Sequence, residues 1–292
     1  MHRRLCPAHA GKTKERGSLT INYSQLSDNS VIIIYVPLKG GTIIMKKITK
    51  VLLSSVLLLA AGCGAKKEDT PAGPDTAKSE GVMTYAEYAA AELNSEVTIE
   101  AYVQGKQSWW DNTATVYTQD DDGAYFIYGM ACSEADYEKL VTGQKIKVKG
   151  YKSEWSGEIE ITDATFELED GNWVATAVDV TDLLGKDELI DHQNQLVSFK
   201  DMTVEAKKDD NGNDVAFMYN WDGSGTQGDD LYFDVSKDGK TYTSTVESYL
   251  CDSSTDVYKA VEGLAVGDKV DLEGFLYWYE GVNPHITKVT KK

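Results

Sequence analysis

Apolar and polar residues alternate in short runs along most of the chain after Glu96. Val97, Ile99, Ala101 and Val103 take every second position, the period of a strand with one buried face. Similar runs predict strands over 113–119 and 124–129, joined at the hairpin signal Asp122-Gly123. Ser133 then suits the N-cap of a short helix running to Leu140, with acids in its first turn and Gly143 as its C-cap. Strands follow over 145–151 and 158–166.

One stretch of this pattern occurs twice. Gly143-Gln144-Lys145-Ile146-Lys147-Val148-Lys149-Gly150-Tyr151 returns as Gly267-Asp268-Lys269-Val270-Asp271-Leu272-Glu273-Gly274-Phe275. In each copy a Gly ends a helical run, apolar and charged residues alternate, and a closing Gly precedes an aromatic. The closing Gly fits a bulge or bend where a strand turns a barrel corner. Two copies predict a duplicated domain. The outward charges are opposite in sign, Lys147 and Lys149 against Asp271 and Glu273, so the two barrels are not expected to bind the same thing.

The second copy reads as follows. A short helix is predicted over 181–189, strand one over 196–205, a polar turn around Asn211-Gly212, and strand two over 215–221. A Gly/Asp-rich loop leads to strand three over 231–235, with a hairpin extension at Lys237-Asp238-Gly239 and a continuation over 241–250. A helix over 255–263 and strands over 269–276 and 285–290 complete it. The extra length of this repeat is placed mainly between strands two and three and before the helix. Ahead of the first repeat, Thr84 and Glu87 form a capping-box pattern for a helix over 85–93 that stops at Asn94.

Three strands, a helix and two strands, written twice, resemble the OB-fold, a five-stranded Greek-key barrel. The residues that carry the resemblance are Val97 to Val103, Ala124-Tyr125-Phe126-Ile127, the two nine-residue stretches, Glu160-Ile161, Leu231-Tyr232-Phe233 and His285-Ile286. They are similar to the single-strand nucleic-acid-binding class of OB domains and to tandem-OB lipoproteins. The fold class is therefore all-β with short helices: two OB barrels in tandem. The first, with its N-terminal helix, is expected over 83–170 and the second over 195–292, with a linker and short helix over 171–194.

The N-terminal third has no such pattern. Met45 to Lys50 is basic, Val51 to Ala61 is apolar, and Leu59-Ala60-Ala61-Gly62-Cys63 resembles the lipobox of bacterial lipoproteins. That resemblance implies a signal peptide over 45–62, diacylglycerol on the Cys63 sulfur, and anchoring at the extracytoplasmic face of the cell membrane. Residues 1–44 then precede the true start as a mis-assigned upstream segment. Residues 63–82, rich in Lys, Glu, Pro, Ala and Gly, read as a disordered tether. Removing residues 1–62, which hold nine of the 29 Lys and Arg but two of the 47 Asp and Glu, takes the formal net charge from −18 to −25. Such acidity disfavours a phosphate backbone as partner.

Chemistry is sparse. The mature chain has two His, His192 and His285, neither beside a nucleophile motif, and no zinc spacing, so the protein reads as non-enzymatic, with no cofactor or metal. Gly223-Ser224-Gly225-Thr226-Gln227-Gly228 spells G-x-G-x-x-G, but no helix follows and Asp222, Asp229 and Asp230 would repel a pyrophosphate. Acidic loops at Asp209 to Asp214 and Asp120 to Asp122 lack the EF-hand spacing and read as turns. Cys132 and Cys251 occupy matching places in the two repeats and read as small buried residues; a disulfide between them would require the repeats to meet at that corner.

The candidate binding residues are aromatic. Trp109 and Trp110 fall in the first loop, Tyr117, Tyr125 and Tyr128 on strands two and three, and Trp155 in the strand four–five loop. Trp221, Tyr277, Trp278 and Tyr279 stand in the second repeat. Trp155 and Tyr279 lie at equal distance from the closing Gly of their repeats. Exposed aromatics of this kind suit sugar rings, bases or partner side chains. The expectation is a lipid-anchored binding protein that engages a carbohydrate or an envelope protein through these residues. The alternatives are a structural or assembly lipoprotein without a small ligand, or a single-stranded nucleic-acid-binding protein.

Overall fold

The structure is a computed structural model, and it describes residues 77–292 other than Asp210. The upstream start, the signal segment, Cys63 and most of the tether lie outside the described residues. Those described belong to one compact unit. Among them no helix is long and apolar enough to cross a membrane.

The first barrel begins with α1 (Tyr85–Ala90) and runs β1 (Glu96–Lys106), β2 (Thr113–Gln119), β3 (Ala124–Ala131), α2 (Glu134–Tyr137), β4 (Gln144–Trp155) and β5 (Glu158–Asn172). The sheet order is β1-β2-β3-β5-β4, with β4 closing on β1 and β3 running parallel to β5. The helix led by Ser133 is shorter than its pattern predicts. It ends at Tyr137, and Gly143 supplies a positive φ of 92° in the loop before β4 rather than a helix cap. Strands four and five both run past their predicted ends, so Trp155 closes β4 instead of standing in a loop.

The capping box on α1 forms as the sequence predicts. Thr84 N–H donates to Glu87 Oε2 at 2.9 Å, and Glu87 N–H to the Thr84 hydroxyl at 3.3 Å. At the other end the Lys152 ammonium donates to the carbonyls of Tyr88, Ala89 and Ala91 at 2.8–3.0 Å, satisfying oxygens that a helix end leaves unpaired. Tyr85 and Tyr88 then pack their rings on Tyr125, at 5.6 and 4.9 Å between centroids, and close that side of the barrel. Thr84→Ala is expected to lower stability by about 1 kcal/mol, read as a shift in the urea midpoint.

The second barrel comprises β6 (Leu196–Glu205), β7 (Leu231–Lys237), β8 (Lys240–Val246), α3 (Asp256–Glu262), β9 (Lys269–Phe275) and β10 (His285–Lys291). The pairings β6–β7, β7–β8, β8–β10, β10–β9 and β9–β6 close a ring of five with the same topology. Here the predicted strands two and three need correction. Strand two is Leu231–Lys237 and strand three is Lys240–Val246, joined by Asp238 and Gly239, both at positive φ (50° and 78°) as a tight hairpin requires. The extra length therefore lies mainly between strands one and two rather than two and three, while the stretch before the helix is also longer, as predicted. Within 215–221, Val215 pairs with Lys207 in a small hairpin and Met218–Tyr219 pairs with the start of β7, before Asn220 turns at φ 58° and ends the run. The predicted helix over 181–189 is two 3₁₀ turns, Thr181–Leu183 and Asp187–His192.

The repeated stretch supplies β4 and β9. Each has an irregular register at its closing Gly, between Lys149 and Tyr151 on β4 and between Glu273 and Gly274 on β9. A Cβ at Gly150 would sit 2.8 Å from the Thr162 carbonyl oxygen, and one at Gly274 2.2 Å from that of His285. Only glycine allows the neighbouring strand to approach so closely. Three of the outward charges are paired locally: Lys149 with Glu96 at 3.0 Å, Asp271 with Lys292 at 3.0 Å, Glu273 with Lys288 at 3.0 Å.

Candidate functional site

Alternation on β2 and β3 sorts the aromatics of the first barrel. Ala114 and Val116 on β2, and Tyr125 and Ile127 on β3, face the barrel core. Tyr117 on β2 and Phe126 on β3 belong to a second cluster on the other side of the sheet, with Tyr128 packed against it. This outer face is where OB barrels hold ligands.

It is closed. Phe275, Tyr277, Leu196 and Leu250 of the second barrel cover it. Phe275 stacks flat on Tyr117, with centroids 4.2 Å apart and planes 4° from parallel, and Tyr277 meets Phe126 edge-on at 5.4 Å. Gly105 on β1 makes room, since a Cβ there would lie 2.8 Å from the Phe275 ring. The Tyr117 hydroxyl and His285 Nδ1 share a hydrogen bond of 2.7 Å. Burial drives the His285 pKa down to about 3, so the ring is neutral.

Polar groups frame this contact. Leu196 N–H donates to Gln119 Oε1 at 2.9 Å, Asn194 Nδ2 to the Ile159 carbonyl at 3.1 Å, and Glu280 N–H to the Ser156 carbonyl at 2.7 Å. Ser108 N–H donates to the Tyr249 carbonyl at 2.7 Å. Trp278 N–H and Gln193 Nε2 donate to Glu158 Oε2 at 2.9 and 3.1 Å. Gln107 Nε2 donates to Glu247 Oε2 at 2.8 Å. Burial pushes the carboxyls of both Glu158 and Glu247 up to about 8, against the hydrogen bonds that favour their ionised forms.

The sequence-predicted residues therefore divide into three sets. Tyr117 and Tyr125 are fully buried, one in the contact between barrels and one in the core, and offer a ligand no surface. Tyr128, Trp155, Tyr277, Trp278 and Tyr279 are half-buried along the junction. Trp155 and Tyr279, matched in the two repeats, pack on each other at 5.1 Å, and Trp278 lies against Gly157. Trp109 is half-buried, its indole N–H donating to the Cys132 carbonyl at 3.0 Å. Only Trp110 and Trp221 remain open, at 69% and 67% exposure. Phe126 and Phe275 were missed as members of the contact. Alternation with Tyr117 points to the first, and the aromatic after the closing Gly to the second. Cys132 and Cys251 are both free and buried.

The chain resembles solved structures in fold. A murine DNA binding protein bound with double-stranded DNA shares 12% identity at a TM-score of 0.33, covering 67% of this chain and 96% of that one. The p202 HIN1 domain in complex with a 12-mer double-stranded DNA shares 12% at 0.32, over 70% and 96%. A deletion mutant of the single-stranded DNA binding protein from Thermus aquaticus shares 13% at 0.22, over 68% and 94%. No family model and no curated protein matches the chain. Likeness at this level concerns the fold alone.

The carbohydrate or envelope-protein ligand is set aside, because the aromatic β2–β3 face that prompted it is closed by the second barrel. The expectation against nucleic acid is withdrawn with it.

Proposed function

We propose that this chain is a non-enzymatic binding protein of the OB class whose ligand is single-stranded nucleic acid, stacked on Trp110 and Trp221. The observation that supports the reading is the position of these two residues. Trp110 lies between β1 and β2, and Trp221 between β6 and β7, the same strand one–two loop in each barrel. Both are about two-thirds exposed. That loop is one of the two with which OB barrels hold oligonucleotides. An exposed indole gives any base a face to stack on, worth about 1–3 kcal/mol per base. Tyr249, also exposed at 62%, sits on the backbone that receives the Ser108 N–H, beside the Trp110 loop.

The chain's acidity, 47 Asp and Glu against 29 Lys and Arg, removes the long-range attraction of a basic groove. Stacking must then carry the affinity, and salt dependence should be shallow, well below the loss of about 10³-fold or more that many phosphate contacts produce. The test is quenching of indole fluorescence by single-stranded oligonucleotides at low and physiological salt. Trp110→Ala and Trp221→Ala are each expected to weaken binding about 5- to 100-fold. Absence of quenching by any DNA or RNA strand would end the reading.

One observation favours a second reading, a structural module with no small ligand: the first barrel's usual ligand face is occupied by the second barrel. The same titration separates the two. The proposal also keeps lipid anchoring at Cys63, outside the cytoplasm, supported by the order Leu59-Ala60-Ala61-Gly62-Cys63. An unmodified Cys63 in the mass spectrum of the native chain would remove it.

A further inference from the structure

Two carboxyls sit in the junction between the barrels, and among the described residues no lysine or arginine pairs with either. Glu158 opens β5 and is fully buried. Its Oε2 accepts from Trp278 N–H and from Gln193 Nε2, both contributed from the second-barrel side. The titratable groups that face it are Glu160 on its own strand, Tyr117 from β2, and Tyr85 and Tyr88 from the α1 side. Glu247 follows β8, and its Oε2 accepts from Gln107 of the first barrel. It is faced by Asp230, Cys251 and Tyr117. Tyr117, bonded to His285 and stacked on Phe275, thus feels both carboxyls. Ionising either places an uncompensated charge in an apolar contact, beside groups that are acidic or neutral.

We propose that Glu158 and Glu247 form a proton-dependent latch: protonated, they hold the two barrels closed over the Tyr117–Phe126 face, and their ionisation loosens the junction.

The direction follows from linkage. Both carboxyls are pushed up from 4.5 to about 8 in the closed state. Between those values the closed form binds protons that an open, hydrated form releases. Closure is therefore fully supported below about pH 4.5 and loses that support as pH rises to about 8. His285 works the other way, but only at lower pH. Its pKa falls from 6.5 to about 3, so it disfavours closure below about pH 6.5 and adds no slope above. Loosening is thus an alkaline event, and it does not depend on which ligand the loops take.

The test is hydrogen exchange on the full chain from about pH 6 to about pH 9, reported as protection factors that remove the intrinsic effect of pH. The amides to follow are Ser108, Leu196 and Glu280, whose hydrogen bonds cross between the barrels. Their protection is expected to fall about tenfold or more, while amides in the β1–β4 ladder hold. In Glu158→Gln/Glu247→Gln, which keeps the acceptor oxygens without the charge, the fall should shrink to about twofold or less. Glu247→Gln alone, at the less buried position, should leave about a threefold fall. Junction protection in the wild type that does not change with pH would overturn the latch, as would the same tenfold fall in either variant.

Discussion

Gly274→Ala is expected to destabilise the second barrel by about 3 kcal/mol or more, enough to shift its unfolding midpoint well below that of the wild type. The reason is local. β9 crosses β10 so closely at this point that an added Cβ would lie 2.2 Å from the His285 carbonyl oxygen and 2.7 Å from the Ile286 Cα. Both are backbone atoms of a paired strand, so neither can swing aside as a flexible side chain would. Relief requires β10 to move, and β10 carries His285 into the contact with Tyr117. The substitution should therefore loosen the junction as well as the barrel, seen by urea unfolding and by faster exchange of the Leu196 amide. A loss below about 1 kcal/mol would show that the bulge at Gly274 accommodates a side chain.

Phe275→Ala is expected to lower stability by about 3–5 kcal/mol, the range for truncating a buried aromatic. Phe275 is 3% exposed and contributes a full ring face to Tyr117. The ring rests over Gly105, where no side chain can fill the space it leaves. Truncation thus opens a gap bounded by Tyr117 and Phe126 on one barrel and Leu250 on the other. The measurement is equilibrium unfolding followed by indole fluorescence. The wild type should unfold in one transition and Phe275→Ala in a broader or divided one, because its barrels share less surface.

The sequence made the barrels legible because their signals are local and periodic. Alternation places β2 and β6 at their observed bounds, and side-chain chemistry marks the caps at Thr84 and Ser133. It misread strand two of the second barrel. Val215 to Trp221 alternates about as well as a true strand does, yet most of its length has no partner to pair with. The strength of Asp238-Gly239 as a hairpin signal was the better guide. The site was less legible still. Tyr117 and Trp110 are equally aromatic in sequence. One is buried because β2 faces another barrel; the other stays open although its loop touches that barrel at Ser108. That difference depends on how two domains dock, a long-range fact that no local pattern encodes. The matched spacing of Trp155 and Tyr279 was the nearest hint, and the two do meet.

The first barrel uses its aromatic β2–β3 face to hold the second. A double-mutant cycle of Tyr117→Ala and Phe275→Ala on the free energy of unfolding tests it most directly. The stacked contact at 4.2 Å predicts a coupling energy of about 0.5–1.5 kcal/mol. Losses that add to within about 0.3 kcal/mol, as for residues that do not touch, would contradict it.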